Sequence, residues 1–275
     1  MINHARTYKE RESMQQFSLE TQSLDETKER MKVLRGFSEE GYRELLLAFK
    51  SAGYTFCSFE EIDRSLWEKQ PFVVLRHDID ISLRLALEIA RIEHEQGVQA
   101  TYFVTLHSPF YNILGRSNAE AIAHLHQWGH QIALHMDHLV YEGDLAKALL
   151  EVNTLAQFYP YINTQLASLH SPINLEQMPI ASFAELQNVY GHIFSKEMTY
   201  ISDSTGRWRS GHPLDSEAFH ERRPIQLLTH PIWWIQVGET ATQKLKCWLY
   251  KDYLNSLASA EEFLPKLFKQ TVAVL

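Results

Sequence analysis

The sequence predicts an α/β fold, a buried parallel sheet closed into a barrel, and three observations lead there. Short, nearly uninterrupted apolar runs recur along the chain, helix-patterned stretches separate several of them, and six of the runs end on His or Asp. Residues 72–75 run into Arg76-His77-Asp78-Ile79-Asp80, 100–104 into Thr105-Leu106-His107, and 131–134 into His135-Met136-Asp137-His138. Residues 165–169 run into His170-Ser171-Pro172, 198–201 into Ser202-Asp203-Ser204, and 225–228 into Thr229-His230-Pro231. Continuous apolar runs suit strands buried on both faces. Strands alternating with helices imply parallel pairing through right-handed crossovers. In closed α/β barrels the reactive groups gather where strands end, so the recurrence predicts one site assembled from six distant stretches.

The elements follow in order. Residues 1–36 are rich in Glu, Gln, Ser, Arg and Lys, which predicts a mobile or loosely helical arm, and residues 37–275 form a single domain. Ser38 stands as an N-cap before acidic first-turn residues and an amphipathic helix that ends near Gly53. Residues 54–57 read as a short strand, and 72–75 as the first long one. Ser82 caps a helix through about residue 95, with Leu83, Leu87, Ala90 and Ile92 on its apolar side and Gly97 as its stop. Residues 118–128 and 144–158 read as further helices, stopped by Gly129 and near Pro160. Beyond residue 170, Pro172, Pro179, Gly191, Gly206, Gly211 and Pro213 divide the chain into shorter pieces. From about residue 242, Leu245, Trp248, Leu249, Tyr253, Leu254 and Leu257 predict one or two amphipathic helices packed on the outside.

Composition narrows the function. The 275 residues are 45% hydrophobic, enough for one large core. A net charge of −8, from 26 Lys+Arg against 34 Asp+Glu, disfavours a phosphate backbone as partner, so no nucleic acid is expected. No stretch approaches the roughly 20 apolar residues of a membrane span, and the polar first residues lack the apolar core of a signal peptide, so a cytoplasmic location is expected. Cys57 and Cys247, far apart, read as reduced thiols.

The clusters carry the chemistry. Asp78 and Asp80 lie two apart, so along a strand they share a face, and such a pair can divide the work of cation ligand and proton acceptor. Either one can also cap the helix that begins near Ser82. His135 and His138 come within reach of one ion if the chain turns helical there. His170 and His230 each close an apolar run just ahead of a proline, which stiffens the mounting of the ring. Asp203 either orients a catalytic group or makes an Asx-turn before Gly206. Trp208, Trp233 and Trp234 either wall a sugar site or fill the core.

Taken in order, Arg76-His77-Asp78-Ile79-Asp80, Ala100-Thr101-Tyr102-Phe103-Val104, Gly129-His130-Gln131-Ile132-Ala133-Leu134-His135, Ser168-Leu169-His170-Ser171-Pro172, Tyr200-Ile201-Ser202-Asp203-Ser204 with Trp208, and Leu228-Thr229-His230-Pro231 resemble the polysaccharide deacetylase family. This is the NodB-homology or carbohydrate esterase 4 group, and more narrowly the motifs resemble its intracellular branch with an Arg-His-Asp-Val-Asp type first motif. The resemblance spans about residues 38–236. It implies a distorted (β/α) barrel of six or seven parallel strands with extra N- and C-terminal helices, and metal-dependent removal of N-acetyl or similar acyl groups from a small carbohydrate or sugar precursor. It makes Asp78 the general base, Asp80 and His135 ligands of a divalent metal, with Zn2+ expected, and His230 the general acid. It places Asp203 among the catalytic groups, in a motif where an acid and a tryptophan support them, and Arg76, His77, Trp208 and Trp233 are expected at the substrate. Two departures stand out: Leu139 occupies the position four after His135, where a second ligand histidine is usual, and His170 stands where the third motif carries an Arg. His138 or His170 is then the remaining ligand. The alternatives are hydrolysis of a non-acetyl amide or ureide with weak or no metal, and a barrel that binds carbohydrate without catalysis.

Overall fold

The computed structural model describes residues 35–62, 67, 70–171 and 186–266; the 1–34 portion of the expected arm and Pro172 and Pro179 lie outside the described residues. Eight strands form one sheet in which every pairing is parallel: β1 (Thr55–Phe56), β2 (Phe72–Ile79), β3 (Thr101–Val104), β4 (Gln131–Met136), β5 (Leu166–Leu169), β6 (Gln187–Asn188), β7 (Thr199–Ser202) and β8 (Ile225–Thr229). The hydrogen-bonded order is β6-β5-β4-β3-β2-β8-β7, with β1 beside the start of β2. The last strands therefore return to the first long one, and seven strands follow a barrel in chain order. Its one seam without a ladder among the described residues lies between β6 and β7. This is the distorted (β/α) barrel.

The apolar runs explain the strands. β2, β3, β5 and β8 are buried at every residue, as strands covered on both faces must be. The helices α1 (Glu39–Ser51), α2 (Leu83–Glu95), α3 (Arg116–Gln127) and α4 (Lys147–Phe158) surround them. Ser38 and Ser82 cap α1 and α2 through their hydroxyls, which accept the Gly41 and Leu85 amides at 3.0 and 3.4 Å. Two short helices, α5 (Glu217–His220) and α6 (Pro231–Ile235), flank β8, and α7 (Ala241–Phe263) closes the described chain. Among the described residues no helix is long and apolar enough to cross a membrane.

Two elements depart from expectation. β6 is a polar Gln-Asn pair with no apolar run to announce it. The expected outside packing of the C-terminal stretch holds for only part of it: α7 buries Lys244 and Trp248 near its start, while Leu249, Tyr253, Leu254 and Leu257 stay exposed.

Candidate active site

Five strands deliver side chains to one mouth of the barrel. β2 carries Arg76 and Asp78, and Asp80 follows just beyond its end; β4 carries His135; His170, Asp203 and His230 each follow the last residue of β5, β7 and β8. Period-two alternation puts Arg76, Asp78 and Asp80 on one side of the chain and His77 on the other. The loop after β3 steadies the end of β2, with the Tyr111 hydroxyl donating to the Ile79 carbonyl at 2.8 Å and Ser108 to that of Asp80 at 3.1 Å.

Three donor atoms converge there. Asp80 Oδ1 lies 3.1 Å from His135 Nε2 and 2.9 Å from His170 Nδ1, and the two ring nitrogens are 3.3 Å apart. The β4–β5 register pairs His135 with Ser168, whose hydroxyl bonds His135 Nδ1 at 3.1 Å and lies 3.4 Å from Asp78 Oδ1. Ser168 can hold either tautomer of the ring: Nε2–H donates to Asp80, whereas a proton on Nδ1 would turn the Nε2 lone pair to an ion bound between ring and carboxylate. Burial works against the charged Asp80 carboxyl, but hydrogen bonds with His135 and His170 outweigh it and hold the group well below the usual carboxylate range. His170 is raised, chiefly by its hydrogen bond to Asp80.

Two further pairs face the same space. Arg76 is fully buried and donates to Asp78 at 3.0 Å, to the Tyr190 hydroxyl at 2.7 Å and to Gln226 at 3.3 Å. Burial opposes its charge, yet Asp78 and Tyr190 more than compensate and raise its pKa. Asp203, wholly buried, accepts from the His230 backbone amide at 3.0 Å and the Trp234 indole at 2.9 Å, and its other oxygen meets His230 Nδ1 at 2.5 Å. That fixes the ring with Nε2 toward the mouth, 3.8 Å from Asp80 Oδ2. Burial disfavours the imidazolium, but the Asp203 carboxylate and its hydrogen bond, joined by Asp80 and Asp78, raise the pKa to about 9. Asp78, Asp80, His135, His170, His230 and Trp233 all line one cleft of about 540 Å³, within the range of small-molecule sites.

No protein-family profile matches the sequence, and no curated protein matches it. Among solved structures, the chain is similar to a chitin deacetylase from the fungal pathogen Colletotrichum lindemuthianum, 21% identical over 37% of this chain and 46% of that one, with a TM-score of 0.29. It is also similar to a peptidoglycan deacetylase of Bdellovibrio bacteriovorus, 15% identical over 74% of this chain and 54% of that one (TM-score 0.40), and to one of Bacillus subtilis, 14% identical over 72% and 98% (TM-score 0.38). The chain thus spans about half the length of the first two. Likenesses this distant leave the chemistry to be read from the residues the cleft assembles.

The expected residues divide into two groups. Asp78, Asp80, His135, His170, His230 and Trp233 meet at the cleft, with Asp203 directly behind His230. Arg76 stands behind Asp78 rather than at the cleft wall. His77 points the other way, into a fully buried seam where its Nε2 meets Glu93 at 2.6 Å and its Nδ1 meets Thr229 at 2.7 Å. Trp208 packs between Phe37 and Trp234, at centroid distances of 5.6 and 5.9 Å, with its indole N–H buried and without a hydrogen-bond partner among the described residues. His138 lies outside the Asp80–His135–His170 group. β4 runs on to Met136, and Asp137 then caps a tight turn at His138–Tyr141; the helical continuation that would bring residues three apart together is absent. Ser168 and Tyr190 join the site without having been singled out. Parallel register beside His135 is the signal for Ser168, whereas nothing in the sequence marks Tyr190.

Proposed function

We propose that the chain is a metal-dependent hydrolase that removes an N-acetyl or related acyl group from a carbohydrate or sugar precursor. The observation that carries this reading is the convergence of Asp80, His135 and His170 in the same cleft as the Asp78–Arg76 and Asp203–His230 pairs. Two imidazole nitrogens and one carboxylate oxygen facing one another at 2.9–3.3 Å make a donor set suited to a divalent ion such as zinc, and Ser168 supplies the supporting contact that ligand histidines use. Asp80, His135 and His170 would hold the ion. Bound there, it supplies Lewis-acid polarisation of an amide carbonyl and acidifies water.

The chain's own groups supply the proton transfers. Asp78, with Arg76 beside it, accepts the proton of the attacking water. His230 presents its Nε2 proton to the departing amine, and Asp203 stabilises the cationic ring before that transfer. Water adds across the C–N bond, giving a carboxylate and a free amine. Trp233 offers a flat apolar wall for a sugar face.

The test is acetate release from a panel of acetylated sugars and nucleotide sugars, alongside elemental analysis of the purified protein. Asp78→Asn and His230→Ala are each expected to lower turnover by roughly 10²–10⁴-fold with the circular dichroism spectrum retained, and Asp80→Ala to lose the metal. Parent-level turnover in either catalytic variant, or unchanged metal content in Asp80→Ala, overturns the assignment.

A further inference from the structure

The last helix has two apolar sides, and only one of them is used. Trp248 seats α7 against Leu85 and Ile232, and Lys244 donates to the carbonyls of Phe37 and Gln236. At 100° per residue, Leu249, Tyr250, Tyr253, Leu254 and Leu257 form a stripe on nearly the opposite side of the helix. All five are exposed, Tyr250 and Tyr253 to 65% and 63%, and among the described residues nothing covers them. A stripe of large apolar groups at spacings of three and four is the usual mark of a helix that packs against another.

Charge on the same face identifies the occupant. Lys246 lies in line with the stripe toward the start of α7 and Glu261 toward its end; both are exposed, and neither makes an ion pair among the described residues. They are about 22 Å apart along the axis at 1.5 Å per residue, too far to meet within one chain. Two copies of α7 laid antiparallel about a two-fold axis between Tyr253 and Leu254 bring them together. Lys246 of each copy then faces Glu261 of the other, Tyr250 faces Leu257, Tyr253 faces Leu254, and Leu249 faces the small Ala258. We infer that α7 is the contact surface of a homodimer, in which the stripe pairs with itself in antiparallel register and the Lys246–Glu261 pair sets that register. An isologous contact of this kind closes on itself and forms no fibre. A single helix pair is small beside the roughly 800 Å² per partner of a standard interface, so a weak, concentration-dependent association is expected.

Sedimentation or light scattering of the full chain across about 1–200 μM tests this, in a range chosen for weak association. The mass is expected to rise from 32.0 kDa toward twice that value with concentration. Leu254→Glu should hold it at 32.0 kDa with an unchanged circular dichroism spectrum, since the residue is exposed and belongs to no buried cluster among the described residues. Lys246→Glu and Glu261→Lys should each weaken dimerisation by at least several-fold, and the two combined should restore it, because the pair re-forms between copies with its signs exchanged. A monomer at every concentration overturns the proposal. So does a dimer indifferent to Leu254→Glu, or a double variant no tighter than the singles.

Discussion

In the proposed reaction the general acid must reach the transition state still holding its proton, and the Asp203 contact favours the protonated ring of His230. With its pKa raised to about 9, His230 is charged throughout the neutral range. The acid form is present below that pKa and is lost as pH rises through it, so kcat/KM is expected to fall as pH rises through about 9. Asp203→Asn removes the carboxylate that outweighs burial, so the descending limb should move down toward or below the ordinary imidazole value of about 6.5. The pH profiles of the parent and the Asn variant decide it, and a limb that stays in place separates Asp203 from the proton transfer. Residue identity was legible here because Asp203 and His230 each stand two residues past the end of an apolar run. His77 was misjudged by neighbourhood: it sits between Arg76 and Asp78 in sequence, but in a strand odd and even positions face opposite ways. His138 is separated from His135 because β4 ends at Met136 and His138 opens the turn that follows.

The seam between β2 and α2 is where element-level reading from sequence reaches its limit. The pattern of Leu83, Ala90 and Ile92 marks the apolar side of α2, but nothing in residue type distinguishes Glu93, fully buried, from the exposed Glu95 two positions on. Glu93 earns its place through partners on three other elements: His77 on β2, Tyr102 on β3 at 2.6 Å, and Tyr42 on α1. Those contacts span distances no local pattern reveals. Burial alone would raise the Glu93 carboxyl, but His77 outweighs it, with His130 and Tyr102 adding to the effect, and the folded-state pKa lies below the ordinary value. A depressed carboxyl pKa stabilises the fold above the unfolded-state value near 4.3, and that stability is lost as pH falls through the folded-state pKa. Glu93→Gln removes the charge and leaves His77 buried against a neutral amide, for an expected cost of about 3–5 kcal/mol. Urea unfolding at pH 7 should show a lower midpoint, and the variant's stability should depend less on pH in the acid range; a midpoint equal to the parent's contradicts the structural role.

At the scale of the molecule, the closed parallel barrel followed from the alternation of apolar runs and helices, whereas the two-residue β6 and the seam beside it had no apolar signature to reveal them. Asp80, His135 and His170 come from the ends of β2, β4 and β5, so an ion bound as proposed would clasp three strands on one side of the barrel, while β2–β8 pairing closes the other. A ligand that binds only the folded state stabilises it by RT ln(1 + [L]/Kd), about 4 kcal/mol at a free concentration 1,000 times Kd. For a domain of this size each kcal/mol moves Tm by roughly 2–4 °C, so stripping the metal should lower Tm by on the order of 10 °C. Asp80→Ala, which removes one ligand and the carboxylate that unites the two rings, should melt at the same temperature with and without chelator. Thermal scans of both proteins in zinc-supplemented and chelator-treated buffer make the comparison. A parent protein whose Tm ignores complete metal removal would mean that the three strand ends are held by their own hydrogen bonds, and that no ion ties them.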